Sequence, residues 1–178
     1  MHNRLRIQRA SRRLRHLLIV VACLMPAING VVWLYINQWP EVFQSKLIPY
    51  FVSMPLPLSA RLMGFGITML PTGIAMLGVF YLMRLFRLYE QGEIFRSSNV
   101  RCFRNLSRVL VGWFFIGILH RSLLSVVLTL HHPPGQRYIT LELGSPDLTA
   151  LLIGCVLAVI AWVMDEGRKL QEEQDFTI

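Results

Sequence analysis

The sequence predicts an all-α membrane protein: a four-transmembrane-helix bundle with both ends of the chain in the cytoplasm (N-in/C-in). Three observations predict it. Apolar residues make up 54% of the 178 residues, and the mean hydropathy is +0.49. They gather into four long blocks between charged stretches, the pattern of bilayer spans rather than of amphipathic surface helices. The basic residues, which give the chain a net charge of +8, fall mostly on alternate sides of those blocks.

The first block covers about residues 17–36, opening L-L-I-V-V-A-C-L-M-P and reaching Trp33 and Tyr35, aromatics suited to an interface. Twenty helical residues rise about 30 Å, enough to cross the hydrocarbon. Residues 1–16 form a basic arm with six arginines and no acid. A signal peptide also has a basic start and an apolar run, but this block is long, ends in aromatics and lacks a small-residue cleavage site. The second span is about 58–83, with Pro71 expected to bend it, since proline lacks the N–H that would bond the carbonyl four residues back. The third is about 109–130. The fourth is about 147–164, entered through Ser145-Pro146-Asp147 and stopped by Asp165, Glu166, Arg168 and Lys169. Residues 17–166 thus form one transmembrane domain, and residues 167–178 an acidic tail. Between the first two spans, Pro40, Pro49, Pro55 and Pro57 forbid a long helix and leave room for a short one over 41–48.

Orientation follows from the charges. Fourteen of the 18 Lys/Arg residues lie in 1–16, 84–108 and 165–178. The positive-inside rule puts these segments in the cytoplasm, and an even number of spans brings both termini to that side. This placement accounts for the excess charge without nucleic acid, for which no zinc-finger spacing or compact helix-turn-helix stretch is present. Cys23, Cys102 and Cys155 show no C-x-x-C or paired pattern, and read as small packing residues.

In lipid, helices associate through close approach and polar contacts. Ala150, Gly154 and Ala158 recur at every fourth position of the last span and form a candidate packing stripe. Met69, Met76 and Met83 recur every seventh position and read as gap-filling residues. Arg121 lies about 18 Å into the third span, next to His120. Snorkelling or pairing with Glu142 or Asp147 would accommodate its charge. His120, His131 and His132 have no spacing that lets them share a metal or haem, so no cofactor is expected.

The connection after Met83 reads R-L-F-R-L-Y-E-Q-G-E-I-F, an amphipathic continuation along the inner face. Gly92 permits a turn, and Ser97, Ser98 and Asn99 offer a cap for a helix before Val100. Arg101, Arg104 and Arg108 follow along one helical side. With the amino-terminal arm they make a basic inner rim suited to anionic lipids. Glu172, Glu173 and Asp175 of the tail offer answering charges, and Leu170, Phe176 and Ile178 an apolar register.

Two segments carry a resemblance: Tyr89-Glu90-Gln91-Gly92-Glu93-Ile94-Phe95 with Asn99-Val100, and the ending from Glu166 through Glu173, Asp175 and Ile178. With the four spans, they make the chain similar to the bacterial membrane family called domain of unknown function 2975. Phe176 stands where an aliphatic residue is more usual, and Arg121 is not part of the pattern. The resemblance implies four membrane helices in a bacterial inner membrane. It also implies companionship with small helix-turn-helix regulators, which the chain would hold or modulate. The expected docking surface is Tyr89, Gly92, Phe95, Asn99, Arg101, Arg104, Leu170, Glu173 and Asp175.

These readings favour a noncatalytic regulatory or scaffold protein, with anionic lipids, a helix-turn-helix regulator and a second copy of the chain as expected partners. A small transporter or lipid-binding protein is the alternative, allowed by Pro71, the small residues and Arg121, although no inverted repeat is evident. Enzymatic function is not expected. There is no H-E-x-x-H, G-x-S-x-G or phosphate-cradling glycine loop. His120, Ser122 and Ser125 share one helix and lack a positioned acid, so they make no triad.

Overall fold

A computed structural model of the chain describes residues 2–40, 43, 55–92, 96–130 and 139–175, with side chains described between 8 and 170. Four long helices are present: α1 (His2–Tyr35), α2 (Leu58–Glu90), α3 (Ser97–Thr129) and α4 (Ser145–Asp175). All four are long and apolar enough to cross a membrane. The chain is therefore a multi-pass, four-helix membrane protein. A single 3-10 turn, Ile36–Gln38, follows α1. The expected short helix over 41–48 and the histidines at 131 and 132 fall largely or wholly outside the described residues.

The helices pack in chain order, α1 on α2, α2 on α3 and α3 on α4, while α1 and α4 share no comparable seam. Their outward faces are apolar: Leu24, Ile28 and Val31 of α1 and Leu152, Val156 and Val159 of α4 are all about half exposed or more. For a chain in lipid that is the expected outer surface, because hydrocarbon solvates such side chains as well as a protein core does.

At one end the helix limits fall within two residues of those expected from hydropathy, at Tyr35, Leu58, Thr129 and Ser145. At the other they overrun them. α1 takes in the whole basic arm from His2, α2 runs straight to Glu90, α3 begins at Ser97 and α4 continues through the acidic tail to Asp175. Helices of 31 to 34 residues are about 50 Å long, against about 30 Å of hydrocarbon. The surplus lies at the end that carries the arginines. Ser97, Ser98 and Asn99 do not cap α3 but form its first turn. The carbonyl of Arg96 accepts the Asn99 N–H at 2.9 Å and closes the helix earlier than expected. Pro26 and Pro71 lie inside α1 and α2, both of which continue through them.

The seam between α4 and α3 takes in Gly154 and Ala150 of the expected stripe but not Ala158. Gly154 is buried and a Cβ there would stand 3.1 Å from Leu110 Cβ and 3.3 Å from the Ser107 carbonyl. The Ser107 hydroxyl donates to the Gly154 carbonyl at 2.8 Å. Ala150 is half-buried beside this seam, but Ala158 is exposed and the buried alanine is Ala161. The covered positions include Asp147, Ala150, Gly154, Leu157, Ala161, Met164 and Arg168, which alternate steps of three and four, with Leu151 and Asp165 beside them. The reason is geometric. A strict step of four overshoots by about 40° each time and walks off the seam, whereas alternating steps follow the 3.5-residue period of two helices crossing at a shallow angle. Of the cysteines, Cys102 is buried, while Cys23 and Cys155 lie on exposed faces.

Candidate functional site

The end without surplus helix is closed by side chains bonded to backbone. Asn37 meets Leu56 twice, donating from Nδ2 to its carbonyl and accepting its N–H at Oδ1, both at 3.0 Å. On α3, the Ser122 hydroxyl lies 3.0 Å from the Thr140 carbonyl, and Ser125 Oγ accepts the Thr140 N–H at 3.1 Å. Each returning segment is thus held at one residue by its N–H and its C=O. Non-helical backbone near hydrocarbon needs such partners, since lipid offers none. Arg61 serves the same end, donating from Nε to the Trp33 carbonyl at 3.0 Å and from Nη2 to the Leu34 carbonyl, two of the last acceptors of α1. Trp33, Ile36, Leu56, Ala60, Leu124 and Leu128 form the apolar cluster behind these clamps.

A polar relay joins α1 to α2. Trp33 Nε1 donates to Thr68 Oγ1 at 2.9 Å, Thr68 Oγ1 lies 2.9 Å from Asn29 Oδ1, and Asn29 Nδ2 donates to Thr72 Oγ1 at 3.3 Å. The Thr72 hydroxyl then donates to the Thr68 carbonyl at 2.8 Å. Gly64 makes this approach possible, because a Cβ there would collide with the Trp33 ring.

Arg121 pairs with Asp147, which is only 2% exposed. The partner is thus Asp147 rather than the Glu142 carboxylate. Glu142 contributes its backbone carbonyl, which accepts from Arg121 Nε at 3.0 Å. Asp147 also serves the start of α4, where its Oδ2 accepts the Gly144 N–H at 3.0 Å, reaching back three residues as the acid of a capping box does. Gly117, one turn before Arg121, supplies the space, since a Cβ there would collide with the Asp147 carboxylate. Among the described residues, His120 Nε2 is enclosed without a hydrogen-bond partner. Asn29, Thr68, Thr72, His120, Arg121 and Asp147 contribute to the wall of a cavity of about 520 Å³ between the helix pairs.

At the basic end, Arg15 of α1 pairs with Glu90 of α2 at 3.1 Å, and Arg104 of α3 with Asp165 of α4 at 3.4 Å. Asp165 also meets Arg168 at 3.3 Å. Arg101 and Leu170 are exposed, whereas Asn99 is fully buried and Tyr89 is half-buried, edge-on to Phe86. Gly92 turns the chain after α2 with φ of 77°, a left-handed conformation that favours glycine.

The family model described as "Protein of unknown function (DUF2975)" matches residues 19–178. The chain belongs to that family. No curated protein and no solved structure matches it. The DUF2975 match takes in both clamps, the relay, the Arg121–Asp147 pair and the basic ends of α2, α3 and α4, and leaves Arg15 just outside.

The expected docking residues that are described lie toward one end of the molecule, and among them Asn99 is buried while Arg101 and Leu170 are exposed. Tyr89, Gly92, Asn99, Arg101 and Arg104 flank the α2–α3 turn, and Glu173 and Asp175 fall on the last turn of α4. Phe95 lies outside the described residues, as do the side chains of Glu173 and Asp175. Asn99 is a packing residue, and Arg104 is engaged by Asp165. Sequence reasoning missed Gly117, Gly144 and the Asn29–Thr68–Thr72 relay. Only the last had a signal, since threonines four residues apart in an apolar span form one polar face.

Proposed function

We propose that this protein is a noncatalytic regulatory or scaffold protein of the bacterial inner membrane, with both termini in the cytoplasm and a working surface at the basic end. The observation that supports this reading is the overrun of all four helices at that end alone. Helix beyond the hydrocarbon is unnecessary for spanning, and here it stands as a rigid, water-facing platform bearing exposed Arg84, Arg87, Arg101 and Leu170. The partner is a small helix-turn-helix transcription regulator, held near the membrane by this platform. Site-directed labelling of both termini from one side tests the orientation. Crosslinking in native membranes, with mass spectrometric identification of captured proteins, tests the partner. A regulator captured by the full chain and lost on deletion of residues 167–178 is the expected result. Recovery of no cytoplasmic protein by the full chain overturns the reading.

One observation favours a second reading, a small transporter or lipid-binding protein: the cavity of about 520 Å³ carries polar side chains inside an apolar bundle. Substrate-dependent flux into liposomes holding the purified chain would support it over the first.

A further inference from the structure

We infer that the basic end holds a binding site for one anionic phospholipid headgroup, in the cleft between α1 and α2. The inference rests on the membrane-platform reading and names a partner for that same end. A cavity of about 610 Å³ lies there, within the range of ligand pockets. Its α2 wall is Phe80, Met83, Arg84, Arg87, Leu88 and Gln91. These recur at three- and four-residue steps and so share one helical face. Arg15 closes the cleft from α1.

The composition changes along that face in the way a lipid molecule does. Phe80 and Met83 lie toward the apolar body of α2, and Arg84, Arg87 and Gln91 follow toward its polar end. From Phe80 to Gln91 the rise is about 16 Å, enough to pass from acyl chain and glycerol to headgroup. The charge is also unbalanced. Glu90 engages Arg15 at 3.1 Å, while Arg84 and Arg87 form no ion pair among the described residues. Among the described residues, three guanidinium groups against one carboxylate leave an excess of two positive charges around the opening. Guanidinium groups bond phosphate oxygens in bidentate fashion, and the surplus positive charge favours a phosphodiester of net negative charge over a zwitterionic headgroup, whose own cation the arginines would repel. The site lies where helix leaves hydrocarbon, so its occupant arrives by lateral diffusion in the bilayer.

The test uses the full chain, purified in detergent and placed in nanodiscs of phosphatidylcholine containing a minor fraction of phosphatidylglycerol. Native mass spectrometry counts the anionic lipid that remains bound to the released protein. The expected result is selective retention of one phosphatidylglycerol over phosphatidylcholine, reduced at least tenfold in Arg84→Gln/Arg87→Gln and largely restored in Arg84→Lys/Arg87→Lys. Arg9→Gln/Arg12→Gln removes the same charge from exposed α1 positions that do not line the cleft and should retain the lipid. Equal loss in that control means diffuse surface attraction and overturns the site. So does undiminished retention in the Arg84/Arg87 double variant, or displacement of the lipid by millimolar inorganic phosphate, which would mark a soluble anion as the ligand. Unfolding curves of each lipid-free variant, with Arg87→Gln alone as a milder substitution, separate lost binding from lost fold. Deletion of residues 167–178, which contribute nothing to the described wall of the cleft, should abolish capture of a regulator and retain the lipid, so failure of one reading is distinguishable from failure of the other.

Discussion

At the end of the bundle marked by Tyr35, Leu58, Thr129 and Ser145, polar side chains turn inward and bond the backbone; at the opposite end some pair across helices, as Arg15 does with Glu90, and others leave their charge to solvent. Asn37, Arg61, Ser125 and Asp147 each satisfy main-chain groups or a buried partner within the chain. Arg84, Arg87 and Arg101 are exposed instead. Both ends place polar residues next to an apolar span, and although arginine marks one of them, composition does not say which side chains turn inward. What differs is whether the backbone is helical. Where the chain leaves the helix close to hydrocarbon, its N–H and C=O groups need partners and side chains supply them. Where the helix continues into water, its backbone is already satisfied and its side chains are released for other work.

That contrast can be broken by mutation. Arg121→Ala should have the largest effect, a loss of about 3 to 5 kcal/mol, because it leaves the Asp147 carboxylate buried without its counterion. Thermal unfolding in detergent should show Arg121→Ala/Asp147→Ala losing less than the sum of the single changes, and additive losses would dismiss the coupling. Gly64→Ala and Gly154→Leu follow, at about 1 to 3 kcal/mol each from overpacking, whereas Ala158→Leu should stay within about 0.5 kcal/mol. The reverse order for residues 154 and 158 would restore the every-fourth-residue stripe. Asn37→Ala strands both backbone groups of Leu56 and should cost about 1 to 3 kcal/mol, read as earlier protease cutting between α1 and α2. Arg101→Gln at the other end should leave unfolding within about 0.5 kcal/mol of the parent and reduce capture of a cytoplasmic partner. A large stability loss from Arg101→Gln would mean that the basic end is structural after all.

The four spans and their limits at Tyr35, Leu58, Thr129 and Ser145 were legible because the hydrocarbon itself selects about 20 apolar residues. The helix limits at the basic end were not. Arginine, glutamate and glutamine are good helix formers, so nothing in residues 2–16 or 166–175 marks where lipid gives way to water. The Arg121–Asp147 pair was half legible: an arginine in a span demands a partner, but choosing Asp147 over Glu142 depends on Gly117, whose missing side chain signals nothing by itself. Ala158 misled because the spacing of small residues was counted without the crossing geometry that selects among them. Ser122 and Ser125 drew attention only as nucleophiles to be excluded, and their work is to hold Thr140.

The Arg121–Asp147 pair also has a consequence for how the chain enters the bilayer. Ribosomal synthesis delivers α3 first, carrying an arginine that costs about 2.5 to 3.5 kcal/mol near a span's centre. Its counterion follows 26 residues later, at the head of α4. Neither helix alone is electrically complete in its buried part, while the hairpin of both is. The α3–α4 hairpin is therefore the smallest unit in this half of the protein whose buried charges are balanced, and α3 entering alone would carry the cost of its arginine until Asp147 followed.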